Sequence, residues 1–128
     1  MKINTILTNP PFKQDRIETL IDGLLEGNVE IVIADPGYMK VLNRKYRHLD
    51  RSTDVLSFDL SASAEEQPDG IVYVDGRMFP PYEALLERIF HGYLHLSGYS
   101  HQEPEKAKIM NERIADLLSR AMERLGLN

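Results

Sequence analysis

The chain contains no cysteine and no tryptophan, and its longest uninterrupted apolar runs are four residues, Ile31 to Ala34 and Ile71 to Val74. Without thiols there is no disulfide framework and no thiolate metal site, so any metal ion must rest on nitrogen and oxygen ligands. Runs this short cannot cross a bilayer, which takes about 20 consecutive apolar residues. The opening stretch, MKINTILTNPPFKQD, is broken by two prolines and lacks the apolar core of a secretory signal. A cytoplasmic protein with no membrane partner is expected.

Net positive charge is also missing. Lysine and arginine total 15 against 20 acidic residues, a formal charge of −5. The average surface therefore repels a polyanion, and a nucleic-acid partner would have to meet a local patch. One candidate exists: Arg44, Lys45, Arg47 and Arg51 fall within eight residues that hold one acid, Asp50. The same cluster also reads as a solvated helix end followed by a turn.

With 128 residues, 42% of them hydrophobic, the chain fits one compact domain with a real core. Residues 2 to 7 resemble a short strand. Asp15 can cap a helix to about Glu26, since Ile17, Leu20, Ile21, Leu24 and Leu25 recur at helical spacing. Val29 to Ala34 reads as a buried strand, and Asp35-Pro36 as the capped start of a helix to about Arg47. Met39, Leu42, Asn43 and Tyr46 lie along one side of that helix. Val55 to Leu60 and Ile71 to Val74 read as strands around a polar loop, SASAEEQPDG. A helix from about Tyr82 to Ser97 carries Leu85, Leu86, Ile89, Phe90 and Leu94, and Gly98 can stop it. Glu103-Pro104 opens a last helix with an apolar face of Ile109, Met110, Ile114, Leu117, Leu118, Met122 and Leu125. This order predicts an α+β fold: a small mixed β-sheet covered by helices.

The chemistry concentrates in HGYLHLSGYSH, which holds three of the four histidines. His91 and His95 are four residues apart on a predicted helix, so their β-carbons lie about 5–6 Å apart on one face. Two ligands of one ion need that proximity, because zinc–nitrogen bonds are about 2.0–2.1 Å. Gly98 lets the backbone leave the helix through positive φ, so the loop can bring His101 back as a third ligand. Three neutral imidazoles leave one tetrahedral position open, as in catalytic zinc sites. One zinc ion at the end of this helix is the expectation; nickel and copper also suit three imidazoles. The spacing HxxxHxxGxxH is shared with metzincin proteases, whose first histidine is followed by a glutamate base. Here that position is Gly92, which argues against a protease.

Two blocks carry a family resemblance. LNRKYRHLDRSTDVLSF, residues 42 to 58, and HGYLHLSGYSH, residues 91 to 101, together resemble the YbeY family of metal-dependent, single-strand endoribonucleases that mature ribosomal RNA. Met110, Glu112 and the strand DGIVYV add weaker similarity; the first two residues of that strand are reversed relative to the family's Gly-Asp-Ile. The resemblance implies a compact α+β fold with a metal cleft, zinc held by His91, His95 and His101, and Arg47 as the arginine tied to RNA processing. It further implies a role in small-subunit maturation and ribosome quality control. Where the family usually has aspartate before the third histidine, this chain has Ser100. Asp54 or Glu103 could supply the missing carboxylate.

On this reading Arg47 pairs with phosphate oxygens through its planar fork, while Arg44, Lys45 and Arg51 track the RNA backbone. Tyr46, Tyr93 and Tyr99 could stack on unpaired bases, although core packing suits Tyr93 better. Asp54 reads equally as a second-layer partner, a base or a turn cap; Ser57 reads as structural and His48 as surface. Two rivals remain: a metal hydrolase with another substrate, such as a peptide, and a ribosome-assembly protein whose metal mainly holds the fold.

Overall fold

A computed structural model of the chain describes residues 2–61 and 68–126. The elements run β1 (Lys2–Thr5), α1 (Gln14–Ile21), β2 (Asn28–Ala34), α2 (Pro36–Arg47), β3 (Val55–Asp59), β4 (Asp69–Asp75), α3 (Glu83–Leu96) and α4 (Pro104–Leu125). The four strands form one sheet in the order β1-β2-β4-β3. β1, β2 and β4 are mutually parallel neighbours, and β3 runs antiparallel to β4 with Val55 opposite Val74. The mixed sheet and its helical cover match the α+β expectation.

Alternation along the strands divides the core into two. Ile31 and Ile33 of β2 and Val72 and Val74 of β4 face a large cluster built from α1, α3 and α4. Ala34 and Leu56 join Met39 and Leu42 of α2 on the opposite face, with Phe58 and Tyr73 packed against them. A period-two strand presents alternate residues to opposite faces, so three helices lie on one side and α2 on the other. β3 is an edge strand, and its unpaired side is where the two helical layers leave a gap.

Several elements end where local chemistry stops them. The helix expected from Asp15 to Glu26 spans only Gln14–Ile21, and its N-cap is Lys13 with no side-chain capping bond. Asp15 instead sits in the first turn. Gly23 adopts φ +75°, which breaks the helix, yet Leu24 and Leu25 still pack on the main cluster. Asp35 does cap α2, its Oδ1 accepting from the Tyr38 amide at 2.8 Å. Of the expected loop SASAEEQPDG, residues 62–67 lie outside the described residues, and Asp69-Gly70 belongs to β4 rather than to the loop. Ile109, expected on the apolar face of the last helix, turns outward and is 47% exposed, and Tyr46, on the same side of α2 as Met39 and Leu42, is 52% exposed.

One contact sets how α3 lies. A β-carbon built on Gly92 would come 2.4 Å from Val72 Cγ1 and 3.0 Å from both Val55 Cγ2 and Ser57 Oγ. The Ser57 hydroxyl donates to the Gly92 carbonyl at 2.9 Å, tying helix to strand. Gly92→Ala gains about 0.8–1.0 kcal/mol of helix propensity. Forcing a methyl into a packed interface costs about 1–3 kcal/mol. A net loss of stability, up to about 2 kcal/mol, is expected in urea unfolding of Gly92→Ala. A more stable variant would show that α3 has room to spare over the sheet.

Candidate metal centre

Helix geometry turns consecutive side chains by about 100°. With Gly92 against the sheet, His91 projects about 100° to one side and His95 about 60° to the same side. On the other side of that direction come Ile89, Tyr93 and Leu96, all buried. The two histidines thus flank the core edge while their helix is locked by it. α3 ends at Leu96, and Gly98 follows with φ +94°. The Tyr99 amide returns to the Leu94 carbonyl at 3.0 Å, closing a turn that reverses the chain. No atom lies within 4 Å of where a Gly98 β-carbon would sit, so backbone conformation alone asks for glycine there. The loop then delivers His101.

The three imidazoles meet. His91 Nε2 and His95 Nε2 are 3.0 Å apart. One potential ligand atom from each of His91, His95 and His101 lies within 4.8 Å of the others. A tetrahedral ion with bonds of about 2.0–2.1 Å would separate two such nitrogens by roughly 3.3 Å, so small rotations of the rings suffice. His95 Nδ1 donates to the Tyr99 carbonyl at 3.2 Å. A carbonyl can only accept, so the proton is on Nδ1 and the lone pair on Nε2, the atom that faces His91. His101 Nε2 meets Asn111 Oδ1 at 3.1 Å. Burial, followed by the neighbouring His95, His101 and Arg88 charges, pushes the His91 pKa down to about 4. Burial also lowers His95, partly offset by its bond to Tyr99, with His101 and Arg47 lowering it further. Both rings are therefore neutral at physiological pH, the form that binds metal. The donor set fits a divalent ion; which metal it takes is a separate question.

Two clefts open on this cluster. The first, about 510 Å³, is lined by Tyr46, Arg47, Thr53, Val55, Leu56, Ser57, Phe58, His91 and His95. It follows the free edge of β3. Arg47, the last residue of α2, thus lines the same cleft as His91 and His95, from the helix on the opposite face of the sheet. The second, about 470 Å³, lies between α3 and α4 and includes Glu87, Arg88, His91, His101 and Asn111.

Other expected site residues are placed differently. Arg44 and Lys45 are exposed on α2 and Arg51 on the following loop, and none of them lines the cleft. The Lys45 ammonium lies 5.2 Å from the centre of the Tyr46 ring. Arg51 is held by its backbone, whose carbonyl accepts from the buried Asn43 amide at 2.8 Å. The Asp54 carboxylate pairs with Arg88 at 3.5 Å and lines neither cleft. Glu103 pairs with Lys106 at 3.8 Å, and Ser100 Oγ accepts from the Gln102 amide. Neither supplies the carboxylate that Ser100 leaves out. Tyr93 packs in the core and accepts from the Glu26 amide, while Ser57 fastens α3. Gly92 points into the sheet, so a glutamate there would have no room.

Residues 8–122 match the family described as Endoribonuclease YbeY. The chain belongs to the YbeY family. The Endoribonuclease YbeY of Carboxydothermus hydrogenoformans is 33% identical, over 90% of this chain and 95% of that protein. That of Pelotomaculum thermopropionicum is 36% identical, over 74% and 72% respectively. A solution structure of TM1509 from Thermotoga maritima superposes with a TM-score of 0.62 at 26% identity, covering 96% of this chain and 91% of that one. Family membership, which the two motif blocks implied, is thus established by similarity over most of the chain.

The sign of the histidine shifts gives a test of the cluster. A folded-state pKa below the unfolded value of 6.5 means that the folded chain resists protonation. The His91 contribution to the stability of metal-free protein should be intact above about pH 6.5, fall away as pH drops, and level off below about pH 4. Melting temperatures of metal-free wild type and His91→Gln should diverge across that interval, the variant falling less. Parallel curves would mean that His91 is freely solvated.

Proposed function

We propose that this protein is a zinc-dependent endoribonuclease that cleaves single-stranded stretches of ribosomal RNA, with the whole chain working as one domain. The observation that carries this reading is the one cleft that Arg47, His91 and His95 line together. The names of the relatives support it, since each is an Endoribonuclease YbeY. By the same resemblance the protein acts in the cytoplasm on the small ribosomal subunit, in maturation and quality control.

His91, His95 and His101 would hold the ion. When bound, it supplies a Lewis acid and a water of lowered pKa. The chain's own groups do the rest. Arg47 makes no ion pair among the described residues, so its guanidinium is free to clamp two phosphate oxygens. Tyr46 exposes its ring at the same cleft and is braced edge-on by Phe58, ring centres 5.1 Å apart. That suits stacking on an unpaired base, which single strands offer and duplexes withhold. Arg44, Lys45 and Arg51 would carry the flanking backbone by charge alone.

Removing a charged hydrogen bond to phosphate costs about 1.5–3 kcal/mol, so Arg47→Ala should slow cleavage of a single-stranded RNA about 10- to 100-fold. Its metal content should stay at the wild-type level; a fall in occupancy would place Arg47 in the metal shell instead. His95→Ala should lose both metal and cleavage while its metal-free form remains folded by circular dichroism. Cleavage that survives metal loss would sink the metal-nuclease reading. Metal-dependent folding in a wild type that cuts no RNA would favour the assembly-factor alternative.

A further inference from the structure

We infer that Asn111 is a positioning residue for the metal centre: it accepts the Nε2 proton of His101 and thereby leaves the Nδ1 lone pair as the donor toward the ion. The inference rests on the proposed metal site and adds the residue that prepares its third ligand.

His101 differs from its two companions. His91 and His95 ride on a helix locked to the sheet, whereas His101 stands on an exposed loop. Something else must fix its ring. Among the described residues, the hydrogen-bond partner of that ring is the Asn111 amide oxygen, at 3.1 Å. Asp54 pairs with Arg88, Glu103 with Lys106, and Ser100 with the Gln102 amide; Glu87 lines the same cleft as His101, but among the described residues the His101 ring bonds to Asn111.

Asn111 is itself well anchored. It follows Met110, fully buried, and precedes Ile114, also buried, which dock α4 onto the main core. Asn111 sits at the rim of that docked face and lines the cleft that holds His91 and His101. A rigid helix therefore presents a neutral acceptor to a loop imidazole. The Tyr99 carbonyl does the same for His95, so two rings of the cluster each have one nitrogen committed to a neutral oxygen.

An imidazole has two nitrogens, and a hydrogen bond from one decides which tautomer offers the other. A neutral amide orients the ring without adding charge; a carboxylate at the same place would also raise ligand basicity. Loss of such partners typically weakens metal binding by about 10- to 100-fold.

The test uses the full chain with Asn111→Leu and Asn111→Asp. Nitrogen NMR of the metal-free protein should show His101 as the Nε2–H tautomer in wild type and a mixture in Asn111→Leu. Zinc titration against a competing chelator should give about 10- to 100-fold weaker binding for Asn111→Leu, and binding at least as tight as wild type for Asn111→Asp. Metal-free melting should be unchanged, because Asn111 is exposed. Wild-type tautomer and zinc affinity in Asn111→Leu would overturn the inference. Failure of wild type to bind zinc at all would instead overturn the metal reading on which it rests.

Discussion

The missing side chain at residue 92 is the constraint on which the site depends. Because Gly92 offers no β-carbon, α3 settles directly on Val72, Val55 and Ser57. That contact fixes the rotation of the helix about its own axis, and rotation decides where every other residue on it points. One step of about 100° in either direction separates a ring in the core from a ring at the edge. Tyr93 goes inward and His91 goes to the rim. A helix held farther off by an alanine could turn and still bury its leucines, but His91 and His95 would no longer flank the free edge of β3.

The same edge explains how residues from both helical layers converge. α3 lies on one face of the sheet and α2 on the other. Only where the sheet stops can an arginine at the end of α2 come close to histidines of α3. β3 is that stop, being bonded to β4 on one side alone. An edge strand is usually a hazard for unwanted pairing; here it forms the floor of a cleft. The C-terminal turn of α3 adds to this, since the negative end of a helix dipole favours a nearby cation by about 0.3–1 kcal/mol.

Much of this was legible in the sequence where the signal was local. Asp35-Pro36 marked the start of α2 because capping chemistry involves neighbours three residues apart. The His91–His95–Gly98–His101 spacing was legible because helical pitch and one positive-φ turn suffice to gather the rings. Other features depend on distant partners. The end of α1 at Ile21 was hidden because Leu24 and Leu25 keep the apolar spacing after the helix has stopped, packing from a turn instead. Tyr46 continues the stripe of Met39, Leu42 and Asn43, but the core beneath α2 ends before it does. Gly92 read as an absent base, whereas its reason is contact with a strand 20 residues earlier in the sequence, at Val72. Asn111 carried no signal beyond its place beside the Met110–Ile114 stripe.

Charge is the subtlest of these cases, because basic residues at the end of α2 have two independent reasons to be there. Arg44, Lys45 and Arg47 all lie in its last turn, where cations offset the helix dipole whatever the protein does. A basic cluster in an acidic chain is therefore weak evidence for a polyanion by itself. What separates the residues is direction. Arg44 and Lys45 face solvent away from the cleft, while Arg47 lines it beside His91 and His95. Its positive charge also helps to depress the His95 pKa. A guanidinium near a cation site is electrostatically unfavourable, and stabilising the helix end would not require it there. An anion lying between the two would relieve that repulsion, and a phosphate has the charge and oxygen geometry to do so.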